Sequence, residues 1–352
     1  MILEPYLQLM VEKKASDLYI SAEALPQLRI DGKTLPVGRQ ILSTQIVAEA
    51  AYELMSERER QYFERYWESN FTYPAPQLGR FRVNVFRQRG HAALVIRHVQ
   101  PATPRIRELG LPSILQDLAI KRQGLVLVVG PTGCGKSTTL AAMVEHRNEH
   151  FSGHILTIED PVEFFIEGKR SIVNQRELGV DTKSYQAALA SALRSAPDVV
   201  MIGEVRDRQT MSAVLELAGT GHLCVASMHA NSAPHALERI VNLFPAEQYK
   251  QLFLDLSLYL QAVVSQRLVL STQGHRIPAV EVMLSTPFIA ELIARGQFDK
   301  LKSAMEDSRV QGMQDMDTVL HRLYSAGIIA LDEALANADS RANLEAKIHF
   351  AI

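Results

Sequence analysis

"LVLVVGPTGCGKSTTLAAMVEH", residues 125–146, decides how this chain folds. The apolar run Leu125–Val129 ends in a glycine-rich turn, followed by Lys136, Ser137 and a stretch with helical spacing. A short apolar run rich in valine and closed by glycine reads as a buried strand. The octet Gly130-Pro131-Thr132-Gly133-Cys134-Gly135-Lys136-Ser137 matches GxxxxGK[ST] in full, and its setting between a strand and a helix matches too. Glycines let backbone N–H groups turn inward around phosphate oxygens. The helix N-terminus adds partial positive charge. Lys136 can reach the β- and γ-phosphates, and Ser137 can ligate Mg²⁺. Residues Gly130 to Thr138 are therefore the candidate nucleotide site. Cys134 occupies a variable position of the motif and is incidental to it.

Such a loop serves kinases, GTPases and motors alike, so the rest of the chain must decide between them. Around it, "GLVLVVG" (124–130), "HILTIED" (154–160), "DVVMIGE" (198–204) and "HLCVASM" (222–228) are short apolar runs separated by segments with helical spacing, such as "SYQAALASALRSA" (184–196). Alternation of this kind predicts a parallel sheet covered by helices. Past about residue 245 the sequence reads as mostly helical. Residues 1–99 read as a separate mixed α/β domain. "EPYLQLMVEKKA" has helical spacing. Asp31-Gly32 marks one hairpin, and Gln88–Gly90 marks another. In the first arm of the second hairpin Phe81, Val83 and Val85 share one face, while Arg80, Arg82 and Asn84 share the other. "QPATPRIRELGLP" (100–112) carries three prolines without a period and predicts a linker, which sets the second domain at 113–352.

Composition narrows the class. With 352 residues, 47% of them hydrophobic, two packed cores are expected. Thirty-seven Lys and Arg against 39 Asp and Glu give a net charge of −2, which argues against wrapping nucleic acid by charge alone. Two cysteines, Cys134 and Cys224, point to a reducing compartment. No run approaches the ~20 apolar residues of a membrane span. The expectation is a soluble protein able to dock on a membrane complex.

Three further polar clusters follow the loop. In "TIEDPVEF" (157–164), Glu159, Asp160 and Glu163 come at a strand end, where a carboxylate can orient or deprotonate water, or simply form a solvated turn. "DVVMIGEVRD" (198–207) ends a strand in Gly203-Glu204. Glycine stands where a magnesium-organising acid is usual, so that work falls to Glu204. Arg206 and Asp207 are either a structural ion pair or a γ-phosphate sensor. In "TGHLCVASMHANSA" (220–233), His222 and His229 bracket a strand, with Asn231 and Ser232 close behind. His229 is the stronger candidate for a sensor of nucleotide state. Asp160 and His222 can each hold a loop without touching ATP. No His/Cys set has zinc-ligand spacing.

These four clusters, in this order, resemble the Walker A, Asp, atypical Walker B and His boxes of the secretion and type IV pilus ATPase superfamily. "ASDLYIS" (15–21) and "GRFRVNVFRQRG" resemble the smaller domain of that family, so the likeness covers nearly the whole chain. It implies a RecA-like P-loop ATPase domain preceded by a smaller PAS-like α/β domain. The resemblance carries no expectation of the long extra N-terminal domain of pilus assembly ATPases, and the chain resembles the retraction group, PilT and PilU. Ala290 stands where that group has arginine, and "AMEDSRVQGMQDMDTVLHRLYSAGII" (304–329) is more similar to PilU. The resemblance implies that Glu163 is the catalytic glutamate and Glu204 the Walker B glutamate near Mg²⁺, and that Arg82 and Arg97 reach the γ-phosphate of a neighbouring subunit. On spacing alone, Arg82 reads as part of a solvated strand face. The resemblance further implies an Mg²⁺-dependent, ATP-hydrolysing homo-hexamer on the cytoplasmic face of the inner membrane. There it would turn a pilus platform protein for retraction and twitching motility, alone or as accessory to a PilT paralogue, with no direct nucleic acid. The small domain would shift about the 100–112 linker. Alternatives are a type II secretion, DNA-uptake or conjugation ATPase, and a nucleotide-binding regulator of a partner motor.

Overall fold

The computed structural model describes residues 2–30, 32–99, 103–308 and 310–350, with His349 and Phe350 described by backbone alone. Asp31 of the first hairpin and residues 100–102 of the linker lie outside the described residues. Two compact units result: Met1–Ala102 together with Glu163–Phe165, and Thr103–Val162 together with Ile166–Ile352.

The first unit contains α1 (Glu4–Glu12), β1 (Asp17–Ser21), β2 (Gln27–Ile30), β3 (Lys33–Pro36), α2 (Thr44–Leu54), α3 (Glu57–Tyr66), β4 (Glu68–Ala75), β5 (Gly79–Gln88) and β6 (His91–Val99). Its strands form one antiparallel sheet in the order β3-β2-β1-β6-β5-β4. Ser43 caps α2 by accepting the Ile46 N–H, and Ser56 and Glu59 form a capping box on α3. The β5–β6 turn needs two left-handed residues, and Arg89 (φ 51°) and Gly90 (φ 81°) supply them. Alternation along β5 buries Phe81, Val83 and Val85 against Leu7, Met10, Val47 and Leu54, while Arg82 and Asn84 stay half-buried on the other face.

In the second unit the elements are α4 (Ile114–Ala119), β7 (Gly124–Val129), α5 (Lys136–His150), β8 (His154–Glu159), β9 (Ile172–Glu177), α6 (Tyr185–Ala192), β10 (Val199–Ile202), α7 (Arg208–Gly219), β11 (Leu223–Met228), α8 (Ala233–Val241), α9 (Tyr249–Tyr259), β12 (Leu260–Leu270), β13 (Arg276–Leu284), α10 (Pro287–Ala294), α11 (Leu301–Glu306), α12 (Met316–Ser325), α13 (Leu331–Ala336) and α14 (Arg341–Phe350). The sheet runs β13-β12-β7-β11-β10-β8-β9, parallel except for the β12–β13 pair. Every residue of β7 and β11 is buried, as strands covered on both faces must be. Leu125, Leu127 and Val129 enter one core layer, and Val126 and Val128 the other.

All four expected strands form. The helical reading past residue 245 fails over 260–284, where β12 and β13 make a long hairpin. α9 passes into β12 with no turn residue between Tyr259 and Leu260, so the change of period is hidden inside one apolar run. β13 is an edge strand, which is why it tolerates Pro278.

Candidate active site

β7, β11 and β10 are adjacent and parallel, so their carboxyl ends share one edge of the sheet. The phosphate loop leaves β7 there, His229 follows β11, and Glu204 follows β10. Ligands of open parallel sheets bind at that edge.

The loop is shaped by its own sequence. Gly133 (φ 79°) and Gly135 (φ 90°) take left-handed backbone. A side chain at Gly130 would collide with the Gln266 carbonyl and the Cys134 sulfur. Pro131, Thr132 and Gly133 are exposed, and Ser137 and Thr138 sit half-buried in the first turn of α5. No side chain caps that helix, whose N-cap is Gly135, so its first N–H groups face the loop as an anion site requires. The Lys136 ammonium donates to the Gly130 and Pro131 carbonyls, each at 2.9 Å. Cys134 is buried, and burial pushes its thiol pKa up, which makes it inert.

Gln266 of β12 holds the loop from below, a role its sequence position gave no signal for. Its amide nitrogen donates to the Cys134 carbonyl and its amide oxygen accepts from the Thr139 hydroxyl, both at 2.7 Å. This side chain lies more than a hundred residues from its partners and carries no local motif.

Glu204 is the second centre. One carboxylate oxygen contacts His229 Nε2 at 2.8 Å. The other accepts from Arg206 at 2.6–2.7 Å, and this hydrogen bond raises the Arg206 pKa. Arg206 also lies 3.9 Å from Asp160. Arg206 and Asp207 are therefore not an ion pair: Asp207 caps α7 by accepting the Thr210 N–H at 2.8 Å. Packing around Gly203 is tight: an added Cβ would come within 3.3 Å of the β8 backbone and 3.4 Å of the Tyr185 hydroxyl, and the carboxylate comes from the next residue. Burial and the neighbouring Asp160 push the Tyr185 phenol pKa up to about 12.

The two histidines part company. His222, at the opposite end of β11, contacts the Leu217 carbonyl at 3.0 Å and Thr220 at 3.2 Å, closing the end of α7. The acids divide as well. Glu159 is buried and accepts from Thr157 and Gln175. Asp160 is exposed near Arg206. Glu163 is exposed and groups with the first unit.

In the first unit Arg82 and Arg97 stand directly opposite each other on β5 and β6. The row continues through Asp17 on β1 to Arg29 on β2. Arg97 Nε donates to Asp17 at 2.9 Å, and Arg29 lies 3.9 Å from it. Two cations, Arg97 and Arg29, thus share one nearly buried carboxylate, and Arg82 faces Arg97 from the next strand.

The sequence and the fold both have counterparts among known proteins. The family model for type II/IV secretion system proteins matches residues 1–319. The chain is 46% identical over 346 residues to the type IV pilus ATPase PilU of Pseudomonas aeruginosa strain PAO1, covering 98% of this chain and 91% of that one. It is 40% identical over 320 residues to the type IV pilus retraction ATPase PilT of the same organism, covering 91% and 93%. A crystal structure of the pilus retraction motor PilT with bound ADP matches at a TM-score of 0.92 and 39% identity over 98% of both chains. The expected likeness to the PilT and PilU group holds, as does the two-domain α/β secretion-ATPase fold.

Proposed function

The chain belongs to the type II/IV secretion system protein family and is an ATPase of it, and from that premise we propose that it is a hexameric motor that hydrolyses Mg²⁺–ATP to power type IV pilus retraction. The observation that carries the reading is the arrangement at the shared strand edge: the phosphate loop after β7, with Glu204 after β10 paired to His229 after β11. Its likeness to PilU and PilT supports the pilus task.

In this reading Gly130 to Thr138 bind the phosphates, and Lys136 exchanges its two carbonyl partners for β- and γ-oxygens. Ser137 and Glu204 would hold Mg²⁺. One or two protein ligands beside substrate phosphates is the usual way this ion is bound, and it would neutralise charge developing on the transferred group. Arg206 and His229 orient the Glu204 carboxylate from its two sides. Glu163 activates the attacking water. Arg82 and Arg97 of a neighbouring subunit stabilise the γ-phosphoryl group, a contribution worth ~10³–10⁵ in rate for such arginines. Supporting that role is the cation row itself. Like charges directly opposite on paired strands are destabilising, and Arg82 facing Arg97 in a row with a single aspartate fits an anion supplied from outside the unit.

The motor would work beneath an inner-membrane platform protein, on the cytoplasmic side, alone or beside a PilT paralogue. Among the described residues no helix is long and apolar enough to cross a membrane. The test is Mg²⁺-dependent ATP hydrolysis by the full chain beside Glu163→Gln and Glu204→Gln, together with retraction in a piliated strain deleted for the gene. Both variants should bind ATP without turnover, and the deletion should lose retraction or its force. Normal retraction in the deletion strain, with or without a PilT paralogue, would refute the pilus assignment. ATP binding by wild type without turnover would refute the autonomous motor.

A further inference from the structure

β12 serves two parts of the site through consecutive residues, because successive side chains point to opposite faces. Gln266 reaches the phosphate loop. Ser265 and Arg267 reach the turn that carries His229. Ser265 Oγ and an Arg267 Nη each donate to the Asn231 carbonyl at 3.0 Å. Opposite Ser265 on β13 stands Glu281, 3% exposed. Its carboxylate accepts the Ala233 N–H, the first of α8, at 2.8 Å. The segment between β11 and α8 has no regular structure at 229–232, so its path depends on these anchors.

Arg267 is gripped in turn by the C-terminal segment. It donates to the Asn337 carbonyl and to the Asp339 carboxylate. The Asp339 N–H donates to the buried Asp317 at 2.7 Å, and Lys302 lies 3.5 Å from Asp317 and 3.7 Å from Asp339. A buried carboxylate is a costly choice for a core strand position that valine would fill. Burial pushes the Glu281 pKa up to about 7.

We infer that Arg267 and Glu281 are positioning residues for hydrolysis: they fix the path of residues 229–233, hold the His229 imidazole on Glu204, and tie it to the segment Asn337–Asp339. The inference rests on the proposed role of the His229–Glu204 pair. Their contacts are to Asn231, Ala233, Asn337 and Asp339 and not to the phosphate loop, so their loss should act on turnover and spare binding.

The experiment measures kcat, KM and ATP affinity on the full chain, with thermal unfolding as a control. Arg267→Ala and Glu281→Val should lower kcat about tenfold or more and leave ATP affinity within about twofold. Arg267→Lys and Glu281→Gln, which keep a donor and an acceptor, should recover most of it. The double variant Arg267→Ala/His229→Ala should turn over no more slowly than His229→Ala alone, since coupled residues are not additive. If Arg267→Ala does not fold, Asp339→Asn takes its place with the same expected pattern. Wild-type turnover in Arg267→Ala, or losses that multiply in the double variant, overturn the inference alone. Wild-type turnover in His229→Ala overturns the His229 assignment and the coupling with it.

Discussion

Replacing Gln266 with leucine keeps the bulk of the side chain and removes two buried hydrogen bonds beneath the phosphate loop. The Cys134 carbonyl loses its amide donor and the Thr139 hydroxyl its acceptor, each now paired at 2.7 Å. A buried polar group left unpaired costs about 1–3 kcal/mol. The Thr139 hydroxyl can rotate onto a carbonyl of its own helical turn, while the Cys134 carbonyl is fixed by the loop. With the Cys134 carbonyl the one group left unpaired, the net expectation is about 1–3 kcal/mol. At about 2–4 °C per kcal/mol for a unit of this size, the unfolding transition of the ATPase unit should fall by about 2–12 °C. Because those groups set the loop path, ATP affinity should fall too, while Gln266→Glu should retain the Thr139 contact and lose the Cys134 one. Calorimetry and a fluorescent nucleotide titration read both effects. An unchanged transition in Gln266→Leu, with unchanged affinity, would refute the claim that the loop is braced from β12.

Three further outcomes follow from the geometry. Arg206→Ala leaves Glu204 held by His229 alone, and should lower kcat about 10–100-fold with ATP binding retained, the usual cost of losing a group that orients a metal ligand; steady-state kinetics beside nucleotide titration check it. Arg82→Thr removes a cation opposite Arg97, and should stabilise the first unit by a few tenths of a kcal/mol while cutting hydrolysis by ~10³ or more if the residue serves a neighbour's γ-phosphate; loss of stability together with unchanged turnover would contradict both halves. Glu281 has a folded pKa raised to about 7 from 4.5, so the folded state binds more protons between those values and stability falls as pH rises through that window, by about 3 kcal/mol in all. Denaturant titrations from pH 5 to 8 should show this slope, and Glu281→Gln should flatten it.

What the sequence reveals here is what local chemistry determines. GPTGCGKS carries its turn, its glycines and its helix start in eight consecutive residues, and the structure supplies each of them. The alternation of Phe81, Val83 and Val85 gives the buried face of β5 in the same way. Glu204 and His229 lie in separate runs, but each comes directly after a parallel strand, so the fold rule alone places both at one edge. Reading fails where the determining contact is distant. Gln266 looks like any polar residue in a strand, and that strand was itself hidden by its continuity with α9. Sequence proximity pairs Arg206 with Asp207, yet the backbone turn after β10 carries Asp207 away to cap α7 and leaves Arg206 with Glu204. The same limit applies to Arg97. Its partner Asp17 is 80 residues away, and only strand register shows that Arg29 shares that carboxylate and that Arg82 faces Arg97. Like charges directly opposite on paired strands cost stability, so the Arg82–Arg97 pair is a place where the chain departs from what its own folding favours.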